Sequence, residues 1–176
     1  MAVNHTLVIG FGNPIRSDDG AGIWIAEQLA ALHLPGVVVE SCHQLSLDLL
    51  EEFHAFARLL FIDAAADGEP LRLARVGAPG VAIPPSAHHL TPADLLGMYA
   101  TLYGQMREAL LLTVRGENFE FGTTLSPKVQ TEATRAVTLL TDLLSTNDGG
   151  LTTNHAAWAT DLCRPTPPRA DVSRKR

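Results

Sequence analysis

The stretch GFGNPIRSDDGAG, residues 10–22, joins a short apolar run, TLVI (6–9), to a helix-like run, IWIAEQLAALHL (23–34). Glycines at a strand-to-helix junction predict an α/β unit whose first turn lets a ligand approach the backbone. The usual ligand there is a phosphate, held by amides at the helix N-terminus. Here two adjacent carboxylates, Asp18 and Asp19, stand where a phosphate would have to approach. The dinucleotide fingerprint G-x-G-x-x-G is also incomplete, because Gly10 and Gly12 are followed by Ile15 at the third position. Glu40, at the end of the next strand, could serve as its acidic residue, so the match is partial.

The same alternation continues along the chain. The runs TLVIGF (6–11), GVVVES (36–41), RLLFID (58–63), LRLARV (71–76) and ALLLTV (109–114) read as strands. Four of the five are almost continuously apolar, as strands buried on both faces of a parallel sheet must be. Between them lie helical patterns. One spans about 19–32, with Ile25, Leu29 and Leu32 on one face. Another spans about 46–56, with Ser46 as N-cap and Leu49, Leu50 and Phe53 as its stripe. A third, about 91–103, has its cap at Thr91 and Pro92 in the first helical position. The fourth begins at SPK, with Ser126 as cap and Val129, Ala133, Val137 and Leu140 along one face. The fold class is therefore α/β, three-layered, with a mostly parallel sheet between helices.

Composition bounds the function. The 176 residues fit one domain with a core of its own, and 46% are apolar against 18% charged. A net charge of -6 argues against a nucleic-acid binder, which would show a basic face. Cys42 and Cys163 form neither a disulfide framework nor a CxxC zinc site, which fits a reducing cytoplasm. No apolar run approaches the roughly 20 residues that span a bilayer, and MAVNHTLVIG has no secretory signal pattern. The expectation is a soluble, cytoplasmic domain over 1–145. The segment 146–176, with RPTPPR and a basic end, has no sustained periodicity and reads as a flexible or loosely docked tail.

Three features point to chemistry. In an open α/β sheet, ligands bind beyond the carboxyl ends of the strands. Asp18 and Asp19 follow the first strand and Asp63 closes the third, so all three should emerge at that edge. The Pro- and Gly-rich loop GAPGVAIPPSAHHL (77–90) adds the doublet His88-His89. Each has a plainer reading. Asp18 and Asp19 can serve as cap and dipole residues of the first helix. Asp63 can cap a turn before Asp67-Gly68, and a loop histidine is usually incidental. Taken together, two carboxylates and one imidazole make an oxygen-and-nitrogen ligand set suited to nickel or zinc.

In this order and spacing, the motifs GFGNPIRSDDGAG, FIDAAADGEP, SAHHLTPADLLG and GENFEFGTTLSPKV resemble those of the [NiFe]-hydrogenase maturation proteases, over roughly residues 6–145. The resemblance implies a twisted five-stranded sheet between helices. It also implies a metal site at Asp19, Asp63 and His88, the last chosen over His89 because the ligand follows a small residue, here Ala87. These three would also be the catalytic residues of an aspartyl-type peptidase. The substrate implied is the large-subunit precursor of a [NiFe] hydrogenase. Its own nickel would be the metal that is read, and its C-terminal extension would be removed. The expected partner is that precursor alone, with no nucleic acid, no membrane and a monomer when free. Many relatives carry Asp-Gly-Gly where this chain has Glu40-Ser41-Cys42-His43-Gln44-Leu45, so Glu40 receives no role. Cys42 beside His43 suggests a thiol protease, but neighbours on a strand point to opposite faces. GxSxG is absent, and Ser17 has no evident base.

Two other classes compete. A nickel-sensing assembly factor would dock on the precursor without cutting it. A nucleotide-binding protein would use the partial glycine fingerprint and would be indifferent to Asp63.

Overall fold

The computed structural model describes residues 5–77 and 90–145. Among them, β1 (Thr6–Phe11), β2 (Val37–Cys42), β3 (Arg58–Ala65), β4 (Leu71–Arg75) and β5 (Glu108–Arg115) form one sheet in the order β2-β1-β3-β5-β4. All neighbours run parallel except β4, which pairs antiparallel with β5 at the sheet edge. The helices are α1 (Ala21–Ala31), α2 (Leu49–Glu52), α3 (Pro92–Tyr103) and α4 (Pro127–Ser145).

Alternation within the apolar strands builds two cores. Val8, Leu60, Ile62, Leu110 and Leu112 face α1 and α4, against Ile25, Leu29, Val129, Ala133 and Leu140. Leu7, Ile9, Leu59 and Phe61 face the other way, against Leu49, Leu50, Leu95, Leu96 and Tyr99 of α2 and α3. The central strands are thus covered on both faces, which is why their sequences are continuously apolar.

The helix boundaries correct several sequence expectations. Helix α1 starts at Ala21, because Ser17–Gly20 forms a separate 3-10 turn. Leu32 lies beyond its end and is 47% exposed, so the buried stripe is Ile25, Ala26 and Leu29. Helix α2 is a single turn, followed by a 3-10 turn at Phe53–Ala55. Ser46 precedes that turn without capping it, although Leu49, Leu50 and Phe53 are buried as expected. At α3 the expected cap is present. The Asp94 amide donates to Thr91 Oγ1 and the Thr91 amide donates to Asp94, with Pro92 in the first position.

Chain order creates a switch point. From β1 the chain crosses by α1 to β2 on one side, then returns past β1 by α2 to β3 on the other. The direction of winding therefore reverses between β1 and β3, with helices on opposite faces. This is the point at which open α/β sheets leave a gap beyond their carboxyl ends. His88, His89 and the tail from residue 146 onward lie outside the described residues.

Candidate functional site

The turn after β1 is shaped by close approaches that only glycine permits. Gly12 has φ 141° and its α-carbon faces the Asp19 carbonyl, leaving no room for a side chain. A β-carbon on Gly22 would strike the carbonyls of Phe11 and Ile62. Gly22 therefore seats α1 directly on the ends of β1 and β3, the role the fingerprint gives to its third glycine. The turn carrying Asp19 is held against the end of β3, where Asp63 stands.

The two adjacent aspartates have different fates. Asp18 is fully buried and accepts four hydrogen bonds. Its Oδ1 takes the Ser126 amide at 2.6 Å, and its Oδ2 takes the Glu117 amide, the Asn118 amide and the Ser126 hydroxyl, each at 2.8 Å. Burial alone would push this carboxyl up. The hydrogen bonds from Ser126, Glu117 and Asn118 outweigh it and hold the group below its ordinary value. Asp18 is thus an ionised group whose acceptors are spent inside the protein. The Ser126 hydroxyl, expected as a helix cap, is turned toward it.

Asp19 is half-buried, and its Oδ2 accepts the Asn13 amide at 3.0 Å. Neither aspartate caps α1, whose N-cap is Gly20 with no side-chain hydrogen bond. This corrects the cap reading, although both stand in the 3-10 turn that leads into α1. It also weighs against a pyrophosphate in the turn, because the Asn13 amide is already engaged by a carboxylate. Asp63, half-buried near the end of β3, accepts the Ala64 amide at 2.8 Å. Asp19 and Asp63 are thus the two candidate ligands that the described fold brings to the carboxyl ends of β1 and β3. Among the described residues alone, no three His, Cys, Asp or Glu side chains converge to hold a metal ion. A third donor would have to come from beyond them, as His88 would.

The residues near the end of β2 form a separate group. Burial, the charge of Glu52 and a hydrogen bond to it raise the Glu40 carboxyl above its ordinary value. Burial, with the charges of Glu40 and Glu52, likewise raises the Cys42 thiol. A raised thiol is a poor nucleophile at neutral pH, so the Cys42–His43 idea loses its chemistry. Glu52 as the partner of Glu40 had no signal in the sequence.

The loop following β5 was legible only as a motif without a role. It pairs with the β1 turn along its length. The Ser17 amide donates to the Gly122 carbonyl, the Gly122 amide to Ile15, Ser17 Oγ to Glu120 and Arg16 Nε to Phe119. The Gly116 amide meanwhile donates to the Ala65 carbonyl at the end of β3. The carboxyl ends of β1, β3 and β5 are thereby tied together. Ile15 and Phe121 stand out from this seam, Phe121 86% exposed.

No protein-family model matches the sequence, and no curated protein matches it. Solved structures share the fold. The [NiFe] hydrogenase maturation protease HycI from Thermococcus kodakarensis KOD1 superposes with a TM-score of 0.66 at 21% identity, covering 81% of this chain and 94% of its own. The hydrogenase maturating endopeptidase HybD from Escherichia coli gives 0.62 at 21% identity, covering 77% and 89%. The endopeptidase HycI from Escherichia coli gives 0.58 at 21% identity, covering 84% and 93%. The five-stranded sheet with its single antiparallel pair is therefore an architecture that this chain shares with such proteins.

Proposed function

We propose that this chain is a processing endopeptidase that removes the C-terminal extension of a [NiFe]-hydrogenase large-subunit precursor. The observation that carries the reading is the position of Asp19 and Asp63. They lie at the carboxyl ends of neighbouring strands, at the switch point of a fold shared with proteins named as hydrogenase maturation proteases. A carboxylate pair at that point suits a cation better than a phosphate.

In this reading the metal belongs to the substrate. Nickel held by the precursor would be met by Asp19 and Asp63, with His88 as the nitrogen donor. That contact would limit cleavage to precursors already loaded with nickel. Peptide hydrolysis then needs a water aligned on the scissile carbonyl. A carboxylate not fully engaged by the protein can take the proton from that water and return it to the leaving amine. Nickel acting as a Lewis acid is the other source of activation. Asp18 takes neither part, since its oxygens already accept four hydrogen bonds. We assign the reaction to the cytoplasm, carried out by a monomer that pairs transiently with its substrate.

The test is to incubate nickel-loaded and nickel-free precursor with wild type and with Asp19→Asn, Asp63→Asn and His88→Ala, and to read the precursor mass. Loss of the extension with wild type and loaded precursor alone is the expected result. Binding of loaded precursor without any mass change would instead identify a non-cleaving assembly factor. Equal cleavage by all four proteins would remove these residues from the site.

A further inference from the structure

Asp18 is the most heavily bonded side chain near the switch point, and the proposed reaction gives it nothing to do. Its carboxylate is fully buried and joins segments about a hundred residues apart, through bonds to Glu117, Asn118 and Ser126. Its own amide donates to the Asn118 carbonyl at 3.0 Å, so the residue is fixed at both backbone and side chain. The next residue is Asp19, whose amide donates to the Arg16 carbonyl at 3.1 Å and whose carboxylate holds the Asn13 amide. Asp19 is therefore one peptide unit from an anchored point. No other described contact links its turn so directly to the start of α4.

A buried charge is an expensive way to make a staple, since it must be desolvated before its hydrogen bonds form. Charge-assisted bonds are also stronger and more directional than neutral ones, and several converging on one carboxylate leave it little freedom. We propose that Asp18 is a positioning residue, which fixes the turn so that the Asp19 carboxylate faces the substrate's metal. The inference rests on the processing activity proposed above. An amide is the informative replacement. Asparagine keeps the shape of the side chain, but whichever way it is turned its NH2 group confronts at least one backbone N–H that formerly met an acceptor.

The test compares Asp18→Asn with Leu140→Ala, a core truncation in α4, at a temperature where both are folded, using nickel-loaded and nickel-free precursor. For Asp18→Asn, kcat/KM on loaded precursor should fall at least about tenfold, as expected of a misplaced reacting group. Its preference for loaded over nickel-free precursor should shrink as well. Leu140→Ala should stay within about twofold of wild type in both respects. Ser126→Ala, which removes only one of the four bonds, gives an intermediate loss and guards against a misfolded Asp18→Asn. Should Asp18→Asn and Ser126→Ala both retain the wild-type preference and rate per folded molecule, Asp18 is a structural staple only and the proposal is overturned. Wild type that cuts neither precursor overturns the processing activity, a result readily told apart from the previous one.

Discussion

At the amino edge of the sheet a cluster of rings packs together, whereas at the carboxyl edge one carboxylate ties the turn after β1 to the loop between β5 and α4. The ring cluster comprises Phe53, His54, Tyr99 and Tyr103, with centroids 4.3–5.8 Å apart between His54 and the tyrosines and between Phe53 and Tyr99. The Arg107 guanidinium sits 5.1 Å over the Tyr99 ring. Polar atoms there are paired with each other, the Tyr99 hydroxyl with His54 Nδ1 at 3.0 Å and Arg107 Nε with the Phe53 carbonyl. Phe53 and Tyr99 are fully buried there, with His54 and Tyr103 exposed around them, and that apolar burial favours stability. At the other edge the buried group is ionised, its partners are loop amides, and half-buried carboxylates remain at the rim. Burial at that edge fixes a turn rather than filling a core, which is what the proposed positioning of Asp19 requires.

The comparison can be broken by substitution. Phe53→Ala should give the largest loss of stability, about 4 kcal/mol from lost transfer energy and the cavity left among Phe61 and Tyr99, read as a lower denaturant midpoint. Asp18→Asn should cost about 3 kcal/mol by leaving buried amides unpaired beside the wrong group. The acid limb of stability separates the two edges further. The Asp18 carboxyl is held below its ordinary value of 3.8, so the unfolded chain takes up this proton first as pH falls. The contribution of Asp18 is then complete above about pH 4 and is lost below it, through the lower folded value. Acid titration of unfolding should be shallower in Asp18→Asn than in wild type, with Phe53→Ala retaining the wild-type slope.

Smaller effects are expected where the structure gives a side chain no part in either edge. Cys42→Ser should process precursor within about twofold of wild type, because the raised thiol is not an available nucleophile. A hundredfold loss would restore the thiol mechanism. Phe121→Ser should move the unfolding midpoint hardly at all, less than about 0.5 kcal/mol, since the ring is 86% exposed. A large loss would mean that the loop is packed differently in solution.

The sheet and the cap of α3 were legible from sequence because each has a local signature, whereas the contacts among His54, Tyr99 and Tyr103 had none. Strands buried on both faces must be apolar throughout, and the Thr91–Asp94 cap needs only neighbours in the chain. The placement of Asp19 and Asp63 at the carboxyl edge was also legible, because parallel strands deliver whatever follows them to one edge. Helix α2 was over-extended, since Leu49, Leu50 and Phe53 fit a helical stripe although the chain leaves α-helix after Glu52. The separate fate of Asp18 could not be read from local pattern. Its partners lie 99, 100 and 108 residues away, and nothing around Ser126 announces that its hydroxyl will leave its own helix to meet a carboxylate. Short-range rules assigned both groups to caps, and a long-range charge-assisted network overrode them.

Amide hydrogen exchange of this chain, with and without an excess of nickel-loaded hydrogenase large-subunit precursor, would locate the working edge directly. Our account predicts added protection over 11–20, 63–67 and 116–122, with none over 52–55 and 103–107. Protection confined to the ring cluster, with the turn of Asp19 unchanged, would contradict it.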